Sequence, residues 1–235
     1  MAYKVWSEFQ RTKIDGSVLK FSVQDLTPDR MDEVIDIYSK YFIEDESIYK
    51  LSGASHNDKA RNECIWLVNG MLKEKGIHIV VCVEESNDLN GKVVAVSSMK
   101  LNTSSENGIP DITFETKEMN KLWEILQGMM AMYNVATSYS VDLWYDGRGV
   151  IVHPSYRCIG IATELVASRR KICKENGVPV STAWMTSIGT QKAAQKDLWD
   201  TPFEIDTKEF CKKFDVTPYD GIAPTFKLMA VKVEI

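Results

Sequence analysis

The sequence predicts an α/β fold: one mixed central sheet flanked by helices on both faces. Three observations lead there. Apolar, β-branched runs at 77–83 and 180–185 read as buried strands. Segments with apolar residues at helical spacing lie between such runs. The turn signal Asn90–Gly91 joins two strand-like runs as a hairpin, which puts antiparallel neighbours into the sheet.

Each element has a local reason. A short strand over 19–23 precedes Thr27–Pro28, a cap followed by proline at the first helical position. Met31, Val34, Ile35, Tyr38 and Phe42 then repeat at helical spacing. A second helix follows Asn57, with Ile65, Val68 and Leu72 inward, and ends at Gly76. The strand 77–83 pairs through the hairpin with 92–101. Residues 102–111 (NTSSENGIPD) form a loop rich in turn formers. Residues 119–133 form a long helix whose methionines, Met129, Met130 and Met132, read as core or as the lining of an adaptable pocket. An extended region covers 138–152, with turn residues at Asp146–Gly147, and His153–Pro154 ends it. Ile161, Leu165 and Ile172 mark the next helix face, closed by Asn176–Gly177 and Pro179. A strand over 180–185, a short helix over 190–198 and a closing strand over 226–233 complete the order. No internal repeat or low-complexity linker interrupts it, so residues 1–235 read as a single domain.

The chain has 235 residues, 44% hydrophobic and 26% charged, a balance that supports a packed core. Its formal charge is -5, which argues against a nucleic-acid groove, since such a groove needs clustered Lys and Arg. Cys64, Cys82, Cys158, Cys173 and Cys211 form no CxxC pair, so a zinc ribbon or thioredoxin-like motif is not indicated. His56 and His78 show no metal spacing either, and no metal is expected. Reduced thiols, the lack of a signal-like run in 1–10 and the lack of a membrane-length apolar stretch predict a cytoplasmic protein.

The chemistry concentrates in 150–163, VIVHPSYRCIGIAT. A β-branched strand runs into a turn and the turn into a helix. Gly160 permits a positive φ and close approach of a ligand to the main chain. The first amides of the helix lack intrahelical acceptors and carry the positive end of its dipole, which makes a phosphate cradle. Arg157 can add a charge-assisted contact. A Rossmann G-x-G-x-x-G is absent, and Gly147 and Gly149 precede the strand as turn residues.

The run Arg157-Cys158-Ile159-Gly160-Ile161-Ala162 matches Arg/Gln-x-x-Gly-x-Gly/Ala, and with its lead-in, residues 152–157, it resembles the pyrophosphate signature of the GNAT acetyltransferases. A narrower resemblance joins three further segments. Residues 41–48 (YFIEDESI) are similar to the Asp-Glu-centred motif of insect arylalkylamine N-acetyltransferases. Residues 184–190 (WMTSIGT) stand where that family has a serine-rich turn, and 226–232 resemble its last strand.

The resemblance implies a GNAT-type, mostly antiparallel mixed sheet and acetyl-CoA as co-substrate, without a metal. It implies direct acetyl transfer to a small amine, with Glu46 as the general base acting through water. Thr186 and Thr190 fall where the family carries functional serines. Thr190 is the hydroxyl that protonates the departing sulfur or organises the water that does, with Ser187 as the alternative. Ile151, Val152 and His153 run beside the pantetheine arm. Arg157, Cys158, Ile159, Gly160, Ile161, Ala162 and Thr163 hold the pyrophosphate. Thr190 also reads as a helix cap, and Glu46 as part of a solvated acidic cluster with Glu44 and Asp45. Trp144, Tyr145 and Trp184 read either as acceptor contacts or as core. The expected enzyme is a monomer acting on an arylalkylamine or related amine. A protein or peptide N-acetyltransferase and a non-catalytic acyl-CoA-binding module are the alternatives.

Overall fold

The computed structural model describes residues 3–12, 16–85, 91–105 and 111–235. Asn90 of the hairpin signal and residues 106–110 of the expected loop lie outside them.

Among the described residues the strands form one eight-stranded sheet. They are β1 (Val5–Thr12), β2 (Val18–Asp25), β3 (Ile77–Glu84), β4 (Lys92–Thr103), β5 (Leu143–Val152), β6 (Val180–Met185), β7 (Asp200–Asp206) and β8 (Thr225–Lys232). The order across the sheet is β1-β2-β3-β4-β5-β6-β8-β7. Neighbours are antiparallel except β5 and β6, which are parallel. The helices are α1 (Met31–Ile37), α2 (Ile43–Asp45), α3 (Ser47–Ser52), α4 (Asp58–Leu72), α5 (Lys117–Ala131), α6 (Val135–Tyr139), α7 (Ile161–Glu175), α8 (Ile188–Lys196) and α9 (Thr207–Phe214). A widened turn over Tyr38–Phe42 joins α1 to α2.

Both faces of the sheet are covered, as expected. On one face, Ile161, Leu165 and Ile172 of α7 pack on Phe21, Val80, Val94 and Tyr145. On the other, Val34, Ile37, Val68 and Leu72 cover Val81, Val96 and Ile151. A third cluster gathers α5, α9 and Phe226 beside that second face. None of the helices among the described residues is long and apolar enough to cross a membrane.

The expected strands β2 to β4, β6 and β8 and the helices α1, α4, α5, α7 and α8 all form, with ends shifted by a few residues. Four local readings change. β1 was not anticipated, because this edge strand buries only Trp6 along its length. β7 and α9 were missed as well. β7 is an edge strand with Pro202 and a bulge, the place where a sheet tolerates proline. Residues 138–139 belong to helix α6, not to a strand, and Ser140 closes that helix at φ 54°. Finally, Asp146 and Gly147 do not turn. They lie inside β5, where an irregularity in its pairing with β4 falls opposite Ser98 and Met99.

Candidate active site

The parallel pair β5 and β6 is in register only at Tyr145 with Ser181 and Asp146 with Thr182. Past that point the two strands part and a cleft of about 990 Å³ opens between them. Gly147 and Gly149 shape the parting. A Cβ on Gly147 would stand 2.5 Å from Nη1 of Arg169 and 2.6 Å from Cβ of Ala183. A Cβ on Gly149, whose φ is 137°, would stand 2.9 Å from the Tyr38 hydroxyl. Neither position has room for a side chain, which explains two glycines one residue apart inside a strand.

At the outer end of the cleft the chain leaves β5 at His153 and enters α7. Gly160 is the N-cap residue of α7 at φ 88°, and Cys158 also takes a positive φ of 64°. Among the described residues, the main-chain N–H groups from Cys158 to Ala162 have no acceptor, while that of Thr163 turns back to the Gly160 carbonyl. Arg11 of β1 braces the turn from behind. Its Nε donates to the Ile159 carbonyl at 2.7 Å and its Nη2 reaches Glu164 at 3.0 Å. The cradle of unpaired amides, closed behind by Arg11 and open to the cleft, fits a diphosphate.

Arg157 is engaged otherwise than a free phosphate ligand would be. Its Nε donates to the Val152 carbonyl at 3.0 Å and its Nη2 to the Asp45 carboxylate at 2.5 Å. Val152 is also paired with Ala95 of β4. His153 caps the turn that follows, its Nδ1 accepting from the Ser155 amide, and its ring packs against Tyr41 and Tyr156. Cys158 is exposed beside the cleft, whereas the other four thiols are buried. Ile151 is buried under α1, and Ile161, the first residue of α7, is buried against the sheet.

At the inner end Glu46 sits between α2 and α3 and caps α3, accepting from the Ile48 amide at 3.4 Å. The Thr186 hydroxyl lies 2.9 Å from both carboxylate oxygens. Ser47 donates to the Thr186 carbonyl at 3.1 Å, and the Tyr219 hydroxyl donates to Ser47 at 3.1 Å. Glu46 is half-buried, and its remaining open surface belongs to the cleft. Burial holds its carboxyl above the ordinary carboxylate value, against the opposing pull of the Thr186 hydroxyl and the Ile48 and Ser47 amides. Glu44 and Asp45 do not form the solvated acidic cluster considered above. Glu44 pairs with Arg61 and Asp45 with Arg157, and neither is a cause of the shift.

Thr190 is not the cap of α8. Ser187 is, with its Oγ accepting from the Thr190 amide at 3.2 Å. The Thr190 hydroxyl bonds back to the Ser187 carbonyl at 3.0 Å and lies 2.9 Å from the Ser187 hydroxyl. Both hydroxyls line the cleft. The fold thus brings Glu46 and Thr186 into contact and places Ser187 and Thr190 one turn further along. Sequence reasoning missed Ser47 and Tyr219, which lie far from Thr186 in the chain.

The aromatic wall of the cleft comprises Phe42, Trp123, Trp144 and Trp184, together with Met129 and Met130. Met129 is otherwise core, and Tyr145 is core on the opposite face.

No protein-family model and no curated protein sequence matches the chain. Its structure, however, matches solved acetyltransferases over 91% to 100% of its length, and the class its architecture defines is the GNAT-type N-acetyltransferase fold. In particular it is similar to the arylalkylamine N-acetyltransferase 7 described as putative from the mosquito Aedes aegypti, with a TM-score of 0.85, 25% identity and coverage of 100% of this chain and 97% of that one. It is similar to arylalkylamine N-acetyltransferase 2 of the same mosquito at a TM-score of 0.71 and 17% identity, over 91% and 99% of the two chains. It is also similar to the polyamine N-acetyltransferase of Drosophila melanogaster at 0.62 and 9%, over 91% and 100%.

Proposed function

We propose that the protein is an acetyl-CoA-dependent N-acetyltransferase that acts on a small arylalkylamine or a related amine by direct transfer, as a cytoplasmic monomer. One observation carries this reading. A carboxylate of raised pKa, held by the Thr186 hydroxyl and the Ile48 amide, opens into the same cleft as a cradle of unpaired amides. The mosquito proteins of similar structure are named for arylalkylamines, and the aromatic wall around Trp144 and Trp184 suits an aryl group.

Acetyl-CoA supplies the activated acyl group. The amides of Cys158 to Ala162 hold its diphosphate, and the free side of β5 from Gly149 to Val152 guides its arm. The amine must lose a proton before it can attack. Glu46 accepts that proton through a water, and burial makes it a better base than an exposed carboxylate. Thr186 fixes the bearing of the carboxylate, because one hydroxyl spans both of its oxygens. The paired hydroxyls of Ser187 and Thr190 supply the proton that the departing sulfur takes up. Holding both substrates in one cleft converts an encounter into an intramolecular step.

The test is thiol release from acetyl-CoA by the purified protein with a panel of amines. Release with arylalkylamines supports the reading. Release confined to peptides, or tight CoA binding with no release, would refute it.

A further inference from the structure

Where β5 and β6 part, the cleft wall carries an ion pair that the proposed chemistry leaves without a task. Asp146 and Arg148 of β5 both line the cleft. Nη1 of Arg148 stands 3.5 Å from Oδ2 of Asp146, and the two side chains are 23% and 19% exposed, Arg148 first. That is long beside the usual charge-assisted contact of about 2.7–2.9 Å. Among the described residues the Arg148 guanidinium makes no hydrogen bond, and its buried Nε has no partner. A buried N–H without an acceptor is rare in a native protein. Asp146 is better held. Its Oδ1 accepts from the Thr182 hydroxyl at 3.2 Å, and its charge also acts on Arg169, which fills the space behind Gly147. Two guanidinium groups thus share one carboxylate. Lys100, paired with Asp146 across the sheet, is taken up by Glu74 at 3.2 Å.

The spacing along β6 gives the pair its place. Side chains two apart in a strand share a face. Thr182, Trp184 and Thr186 share one face of β6, while Ala183 and Met185 pack on the other. Thr186 holds Glu46, Thr182 holds Asp146, and Trp184 lies between them on the strand. From Thr182 to Thr186 is four residues, or about 13 Å at strand rise. An extended phenolic ethylamine measures about 8 Å from nitrogen to phenol oxygen by ordinary bond lengths. Hydrogen bonds at its two ends take up the rest. On β5, Trp144 lines the cleft with Asp146, and Tyr145 between them is core on the opposite face. An amine placed at Glu46 therefore lays its ring against Trp184 and brings a ring oxygen to Asp146 and Arg148.

We propose that Asp146 and Arg148 are the specificity-determining residues for the acceptor: they take a hydroxyl at the far end of its aryl ring and refuse a second ammonium there. This rests on the acetyltransferase reading above and narrows its acceptor class to phenolic arylalkylamines. A hydroxyl set against the pair donates to the Asp146 carboxylate and accepts from the Arg148 guanidinium, which a bare hydrocarbon ring cannot do. A distal cation instead meets two guanidinium groups and one carboxylate, so like charge turns a diamine away.

The experiment compares kcat/KM for tyramine, phenethylamine and agmatine, by thiol release from acetyl-CoA with the whole chain. Wild type should prefer tyramine to phenethylamine by about tenfold to a hundredfold, the worth of hydrogen bonds to charged partners. Agmatine should be the poorest of the three. In Arg148→Met the tyramine preference should all but vanish, and Arg148→Lys should keep part of it. The ratio of two amines on one preparation does not move when a variant merely loses folded protein. Equal use of tyramine and phenethylamine by wild type overturns the proposal without any variant, even should Arg148→Met fail to fold. So does a preference for agmatine, or a tyramine preference that survives undiminished in folded Arg148→Met. Thiol release with none of these amines would overturn the acetyltransferase reading itself, and the proposal would fall with it.

Discussion

The two ends of the cleft are built by different means. The outer end is main chain: consecutive amides from Cys158 to Ala162, set by two positive-φ residues and the start of one helix. The inner end is side chain. The carboxylate of Glu46 is held by Thr186, 140 residues away, and the hydroxyl of Ser47 by Tyr219, 172 residues away. A main-chain site needs a contiguous run of residues that permits one backbone path. A side-chain site needs the whole fold to bring distant groups together. The two ends should therefore fail differently when disturbed, one in cofactor affinity and the other in the rate and pH dependence of transfer.

The largest effect should come from Glu46→Gln. Removing a general base typically costs 10²–10⁴-fold in rate, so kcat/KM for the amine should fall within about that range. CoA affinity, measured by calorimetry, should hold. The pH profile sharpens the test. Wild-type activity should rise with pH through a limb set by Glu46, above the ordinary carboxylate value because burial raises that group. In Glu46→Gln this limb should disappear. The stability sign is also fixed. The folded state holds the Glu46 proton more tightly than the unfolded chain, so ionisation weakens the fold as pH climbs through the raised value. Glu46→Gln should accordingly melt above wild type at neutral pH. The difference should vanish in acid below the ordinary carboxylate value, where Glu46 is protonated in both states.

Gly160→Val tests the outer end. A β-branched residue at φ 88° is strained by about 1–2 kcal/mol, and its Cβ would lie 3.2 Å from Nη2 of Arg11. The turn must shift, and the amides with it. The Kd for CoA should rise at least about tenfold, the equivalent of that strain. The loss of activity should appear in KM for acetyl-CoA before it appears in kcat. A Kd equal to that of wild type would break the contrast drawn between the ends.

That contrast also explains what the sequence disclosed. The phosphate turn was legible because its path is local: a strand, a glycine and a helix start in 14 consecutive residues, 150–163. Glu46 was legible only through resemblance, since nothing in residues 41–48 says that burial would raise its pKa or that Thr186 would meet it. Arg169 left a signal that went unread. Counting four from Leu165 puts it on the same helical stripe as Ile161 and Ile172, where an arginine is out of place. Gly147 and Gly149 misled because a glycine in a strand looks like a turn until the group filling its missing side chain is known. β1 and β7 escaped because edge strands bury one side poorly and carry no clean alternation.

Thr186→Ala should have a smaller effect than Glu46→Gln. It removes the hydroxyl that spans the carboxylate and that opposes the burial effect, so the pKa of Glu46 should rise further. The acid limb of the pH profile should move up in the alanine variant and return in Thr186→Ser. A limb that stays in place would show that the hydroxyl does not set the ionisation of Glu46.

The smallest effect is expected where the two ends meet. Asp45, next to Glu46, holds Arg157 of the phosphate turn, and both side chains are more than two-fifths exposed. A pair so exposed contributes at most about 1 kcal/mol, so Asp45→Asn should leave the melting temperature nearly unchanged. It does, however, remove the carboxylate that competes with an incoming diphosphate for the Arg157 guanidinium. CoA should bind Asp45→Asn a few-fold more tightly than wild type at low ionic strength, and the gain should shrink as salt screens it. Weaker binding would mean that Asp45 holds Arg157 ready for the phosphate instead of withholding it, and the two ends would then be one coupled device.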